Sequence, residues 1–275
     1  MLLIFDLDGT LFQAKSVVLH ADRSLLNEMG LPAPDEETLL KKASRGVDGL
    51  LRNLLPDGTD MIYARARYIE LVKEAILEYG ALFPGAREAV ERLALEGYEL
   101  AVCSDSPIEY IELVLRHTRI AGAFAWYKSA EGYDSKAELI RETVTNARRT
   151  QKKNKLSGCG MSPALVRLKA AQRKQKTGCR ALSPRLPATS HLQLAACGPQ
   201  TALVMPGVAA VVIGDTHGDI EAAHANGFTA IAALYGYGNK SMLADAEHFV
   251  NAPEEIVGCI HEMDLFSTPD RAPQA

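Results

Sequence analysis

Two apolar stretches of this chain each run into a pair of closely spaced aspartates. Met1 to Ile4 leads into Phe5-Asp6-Leu7-Asp8-Gly9-Thr10, and Ala209 to Ile213 leads into Gly214-Asp215-Thr216-His217-Gly218-Asp219. Four carboxylates gathered at the ends of parallel strands repel one another strongly unless a cation sits among them. A hard divalent ion with oxygen ligands, Mg²⁺ above all, meets that need. In Asp6-Leu7-Asp8 a single residue separates the acids, so both can face one crevice as the strand ends and turns. Gly9 allows the tight turn, and Thr10 can tie it down by hydrogen bonding. An Asp-Gly turn that merely caps a helix is a common use of the same residues. The second acidic pair, which also follows an apolar run, outweighs that plainer explanation.

The elements that must position these acids are visible as apolar runs. Strands are expected at 2–6, 98–104, 124–128, 209–214 and 229–234, with helical patterns between them, as in a parallel sheet covered on both faces. Pro84-Gly85 opens a helix to about Leu95 that Gly97 stops. Pro107 opens another, with Ile108, Ile111, Leu113 and Leu115 as its apolar positions. Residues 15–82 look entirely helical, most clearly from Met61 to Tyr79, where positions 62, 69, 72 and 76 are apolar. The 275 residues are 47% hydrophobic, enough for a sizeable core, and carry a net charge of −4, which argues against a nucleic-acid binder. Met1 to Phe5 is too short and too soon interrupted by acid to be a signal peptide or a membrane span. Five cysteines without CxxC spacing point to reduced thiols and a cytoplasmic setting.

Four motifs together resemble the haloacid dehalogenase (HAD) superfamily of phosphotransferases, and Tyr235-Gly-Tyr-Gly238 after the last motif strand resembles its phosphoglycolate phosphatase-like members. Asp6-x-Asp8-Gly9-Thr10 looks like the first motif. Tyr98 to Cys103 reads as a buried strand ending in Ser104, the hydroxyl of the second. Lys136 at the start of a helix fits the third, and Gly214-Asp215 with Asp219 fits the fourth. The resemblance covers about residues 1–148 and 208–262. It implies an α/β fold: a Rossmann-like parallel sheet core built from 1–14, 83–148 and 208–265, with a helical cap, 15–82, inserted after the first strand. A cap placed immediately after the catalytic turn is expected to act as a mobile lid.

The resemblance also implies roles. Asp6 would be a nucleophile that forms an aspartyl phosphate, splitting one hard step into two. Asp8 would protonate the leaving alkoxide and then deprotonate the attacking water. Mg²⁺ would be held by Asp6, the Asp8 main-chain carbonyl and Asp215, and Asp219 would hold the metal or its waters. Ser104 and Lys136 would bind the remaining phosphate oxygens, the lysine also pairing with Asp6. The expected activity is hydrolysis of a small phosphorylated metabolite. Dehalogenases of the superfamily need no acid at position 8, so Asp8 argues for phosphoryl transfer. A phosphomutase keeps both aspartates and is the alternative, and a non-catalytic binding protein on the same scaffold is a third reading.

Other residues carry weaker signals. Arg45 could reach a substrate from a cap loop, although a solvated arginine beside Gly46 is as good a reading. His217 reads as a surface histidine, Asp105 as a cap ahead of Pro107, Cys103 and Trp126 as packing, and the glycines of Tyr235-Gly-Tyr-Gly238 as turn residues. The middle of the chain breaks the pattern. From Thr143 to Gly214 there is no Asp or Glu but there are twelve Lys or Arg, and Lys136 lies 79 positions before Asp215. Connections of this kind usually take about 2–6 residues. Residues 149–207 therefore look like a basic insertion, expected to be disordered. Their charge is the one feature that would suit a nucleic acid or another acidic partner. Cys159, Cys179 and Cys197 lie too far apart for a compact zinc site, and a translated insertion or misread frame would equally explain the abrupt loss of acids.

Overall fold

The computed structural model describes residues 1–42, 46–156 and 210–266. Six parallel strands form one sheet: β1 (Leu2–Phe5), β2 (Glu99–Ser104), β3 (Trp126–Ser129), β4 (Ala210–Gly214), β5 (Thr229–Ala233) and β6 (His248–Val250). Their order across the sheet is β3-β2-β1-β4-β5-β6, with β1 flanked by β2 and β4. Leu3 pairs with both Leu100 and Val211, and Phe5 with Val102 and Ile213. This register brings the carboxyl ends of β1, β2 and β4 to one edge, the place where open parallel sheets bind ligands.

Near-continuous apolar strands follow from burial on both faces. Leu3, Phe5, Leu100, Val102, Val211 and Ile213 point into one core, closed by α5 (Ala86–Leu95), α6 (Ile108–His117) and α9 (Glu255–Phe266). Leu2, Ile4, Ala101, Cys103, Ala210 and Val212 point into the other, under α7 (Lys136–Leu156) and α8 (His217–His224). Trp126 packs against this second core, and Cys103 is fully buried in it.

Between β1 and β2 the chain forms α1 (Ala14–Glu28), α2 (Glu36–Lys42), α3 (Val47–Leu54) and α4 (Met61–Tyr79). Leu25, Leu39, Leu51 and Tyr68 anchor a third core within these helices. Their roots belong to the sheet: Ala14 and Val17 of α1 and Ala75 and Ile76 of α4 pack with Phe12. The bounds of α4 match those expected. Asp60 caps it, its Oδ1 accepting the N–H groups of Ile62 and Tyr63 at 3.1 Å each, a contact worth about 1 kcal/mol.

Two features differ from expectation. The short edge strand β6 adds a sixth strand. Helix α7 runs on through residues 149–156, the first part of the stretch expected to be a disordered insertion. Its apolar positions Leu139, Ile140, Val144 and Ala147 are buried, and no Gly or Pro interrupts the chain before Gly158. The remainder of that stretch, with its three cysteines, and Arg45 lie outside the described residues. No described helix is long and apolar enough to cross a membrane.

Candidate active site

Asp6 follows β1 directly, its N–H donating to the Ile213 carbonyl at 2.9 Å. The chain then folds back: Phe12 N–H reaches the Leu7 carbonyl at 2.8 Å, and Gly9 N–H reaches the Phe12 carbonyl at 2.9 Å. Gly9 has φ +90°, and any side chain there would overlap the Asp215 carboxylate. Asp215 follows β4. Asp219 lies in the first turn of α8, and Lys136 is the first residue of α7.

These elements bring Asp6, Asp215 and Asp219 together, with carboxylate oxygens within 4.8 Å of one another. Lys136 Nζ lies among them, 2.5 Å from Asp6 Oδ1 and 2.5 Å from Asp219 Oδ1. Each acid has a distinct set of neutral partners. Asp215 Oδ1 accepts the Thr10 hydroxyl at 3.0 Å, and its Oδ2 accepts the Tyr237 N–H at 2.7 Å. Asp219 Oδ2 accepts the Thr216 N–H at 3.0 Å and the Thr216 hydroxyl at 2.7 Å, as in a capping box. Asp219 Oδ1 is buried, close to the ammonium, yet receives no hydrogen bond of good geometry.

Asp8 belongs to the same turn but not to the carboxylate cluster. Its Oδ2 accepts the Ser106 hydroxyl and its Oδ1 the Tyr110 hydroxyl, both at 2.7 Å. Ser104, at the end of β2, is buried, and its Oγ accepts the Ser106 N–H at 3.1 Å. His217 is a surface residue, with Nδ1 3.1 Å from the Met242 carbonyl oxygen and Nε2 3.3 Å from Glu221.

Electrostatics make this a site short of positive charge. Burial pushes the Asp6 carboxyl well above the usual carboxylate range; Lys136 opposes this, and Asp219 and Asp215 add to it. Burial raises Asp215 to about 6, against the stabilising hydrogen bond from Tyr237. Burial alone would lower Lys136, but Asp219 and Asp6 outweigh it and hold the ammonium protonated. Three buried carboxylates thus gather beside one cation, which pairs with Asp6 and Asp219. Uncompensated buried charge is costly, and hard oxygen donors with one oxygen lacking a hydrogen bond suit a hard divalent cation such as Mg²⁺.

Several contributors were not legible in advance. Ser106 and Tyr110 stand 98 and 102 positions from Asp8. Thr10 reaches across to Asp215 rather than only tying down its own turn. In Tyr235-Gly-Tyr-Gly238 the second glycine has a specific duty, because a methyl group there would overlap the Asp215 carbonyl oxygen. The motif was visible in the sequence; its proximity to Asp215 was not.

Comparison with known proteins agrees with this architecture. The sequence profile of haloacid dehalogenase-like hydrolases matches residues 3–156. A phosphoglycolate phosphatase of Pseudomonas putida is 27% identical over 133 residues, 46% of this chain and 48% of that protein. The match therefore spans about half the length of that relative. One from Mannheimia succiniciproducens is 25% identical over 254 residues, 88% of this chain and 89% of the relative. The crystal structure of a predicted phosphoglycolate phosphatase from Haemophilus somnus superimposes with a TM-score of 0.65 at 18% identity, covering 94% of this chain and 97% of the other. At that identity the likeness concerns the fold.

Proposed function

The chain belongs to the haloacid dehalogenase-like hydrolases, and from that premise we propose that it is a Mg²⁺-dependent phosphatase acting on a small phosphomonoester. The observation that carries this reading is the pairing of Lys136 with both Asp6 and Asp219 at the edge where β1 and β4 end. One group of acids is thereby left with charge for a cation, while Asp8 stands apart on neutral donors.

In this reading Asp6 attacks phosphorus in line, forming an acyl–phosphate bond as the bond to the leaving oxygen breaks. Asp8 gives its proton to that oxygen. Water then attacks the aspartyl phosphate, Asp8 takes a proton from it, and orthophosphate leaves with Asp6 restored. Ser104 binds a phosphate oxygen, and Lys136 neutralises the transferring group while holding Asp6. Asp6, Asp215 and Asp219, with the Asp8 carbonyl, are the residues that would hold Mg²⁺, which supplies charge neutralisation of the phosphoryl oxygens. Helices α1–α4, rooted on the sheet beside the catalytic turn, serve as the cap over the site. The two described cysteines, Cys103 and Cys259, are free thiols, in keeping with a cytoplasmic setting.

The test is phosphate release from a panel of phosphomonoesters headed by phosphoglycolate, with Mg²⁺ and with EDTA. Metal-dependent release that Asp6→Asn abolishes is expected. Mg²⁺ should also raise the melting temperature by mass action, and Asp215→Ala should erase that shift. No release from any ester in the panel, with Mg²⁺, Mn²⁺ or Co²⁺, would refute the proposal. Isomerised sugar phosphate in place of free phosphate, when a sugar bisphosphate is added, would redirect it to a mutase.

A further inference from the structure

The carboxylate of Asp8 is gripped at both ends by the segment that follows β2. Ser106 Oγ–H donates to Oδ2 and Tyr110 Oη–H to Oδ1, each at 2.7 Å. Two donors on two different oxygens fix the side-chain torsions of an aspartate as one could not. Both donors are themselves anchored. The Ser106 N–H donates to Ser104 Oγ at 3.1 Å, and the Ser106 carbonyl accepts the Ser129 hydroxyl at 2.8 Å. Ser106 is thus tied to the ends of β2 and β3. Tyr110, in the first turn of α6, sets its ring edge-on to Phe12, with centroids 6.3 Å apart and planes at 81°. Phe12 is fully buried and closes the turn that contains Asp8, its N–H bonded to Leu7 and its carbonyl to Gly9. Tyr110 therefore grips the Asp8 carboxylate with its hydroxyl and the Asp8 turn with its ring.

We infer that Ser106 and Tyr110 are positioning residues that aim Asp8 at the leaving-group oxygen, a role that rests on the phosphatase reading and adds to it. They act through Asp8, and proton transfer from a positioned acid is steeply sensitive to alignment: a displacement of about 1 Å can cost on the order of 10²-fold in rate. The Ser106 hydroxyl comes from just past the end of β2, and the Tyr110 ring rests on Phe12, which also packs with Ala75 and Ile76 of α4.

Leaving groups provide the test. An alkyl phosphate needs a proton on its departing oxygen, whereas p-nitrophenyl phosphate expels a stable phenolate without one. The measured quantity is kcat/KM, which reports steps up to the first phosphoryl transfer and omits later hydrolysis of the aspartyl phosphate. Tyr110→Phe keeps the ring against Phe12 and removes only the hydroxyl. It should lower kcat/KM for the alkyl ester about 10-fold and for the aryl ester less than about 2-fold. Ser106→Ala should act in the same direction, and Ser106→Thr, which restores a hydroxyl, should recover most of the loss. Equal losses on both esters, or none on either, would overturn the positioning role while leaving the phosphatase reading intact. A wild-type protein inactive on both esters would instead remove the reading on which the inference rests. If Tyr110→Phe fails to fold, the Ser106 pair decides the question alone.

Discussion

Asp22 offers a test of the physical picture that is independent of any metal. It sits on α1, 1% exposed, inside the helical layer, and its Oδ1 accepts the Tyr68 hydroxyl from α4 at 3.0 Å. Burial pushes its carboxyl from an ordinary 3.8 up to about 6, against the opposing pull of the Tyr68 hydrogen bond and of Arg23. The folded state therefore binds a proton that the unfolded state has already lost. Stability from this group is fully present below about pH 4, drains away as the pH rises, and is gone above about pH 6. The displacement corresponds to about 3 kcal/mol, at about 1.4 kcal/mol for each tenfold change in proton affinity. Asp22→Asn replaces the carboxyl with a neutral group of the same shape that still accepts from Tyr68. The variant should be about 3 kcal/mol more stable than wild type at about pH 8, about 1 kcal/mol more stable at about pH 4.5 and nearly equal to it at about pH 3, as measured by urea unfolding across that range with EDTA present. Holding EDTA constant keeps the acids near Lys136 the same in both proteins, so the difference isolates Asp22. A variant less stable than wild type at the alkaline end, or two parallel pH profiles, would refute the reasoning.

Gly238→Ala places a methyl group on the Asp215 carbonyl oxygen; it should cost about 1–3 kcal/mol through overpacking and weaken the Mg²⁺-dependent rise in melting temperature, because the displaced loop also carries the Tyr237 N–H. A variant with unchanged melting behaviour in Mg²⁺ and in EDTA would contradict the close approach. Asp60→Ala removes the cap of α4 and should lower stability by about 1 kcal/mol in thermal unfolding; since Asp60 lies in the helical layer, no loss of kcat is expected once the protein is folded.

Much of the fold was legible because burial on both faces leaves a simple mark. Strands β1, β2, β4 and β5 are largely apolar runs, those of β1 and β4 ending directly before an aspartate, and α4 is bracketed by Asp60 and Gly80. β6 escaped notice for the complementary reason. It has three residues, one of them half-buried His248 and another exposed Phe249, and only Val250 enters the core. The site divides along the same line. Asp6, Asp8, Asp215, Asp219 and Lys136 stand at strand or helix ends, where local sequence announces them. Ser106 and Tyr110 are ordinary residues made specific by a distant partner, and no local pattern singles out a hydroxyl that will meet a carboxylate about a hundred positions away.

The four aspartates are also separated by the kind of partner each has. Asp6 and the Oδ1 of Asp219 are met by a full charge, the Lys136 ammonium. Asp8 is met by two hydroxyls, Asp215 by a hydroxyl and a main-chain amide, and Asp219 Oδ2 by another amide and hydroxyl. Neutral donors orient a carboxylate without cancelling its charge, whereas an ammonium does both. The arrangement therefore fixes direction at every acid while leaving the cluster net negative. A fold stabilised chiefly by its own ion pairs would have matched these acids with additional lysines or arginines. Here three buried acids stand beside one lysine, which pairs with Asp6 and Asp219, while Asp215 is met by a hydroxyl and a main-chain amide. On the phosphatase reading, a divalent cation held by these acids would supply the missing positive charge. Gathering these acids is costly for the protein by itself, and a bound cation would offset that cost.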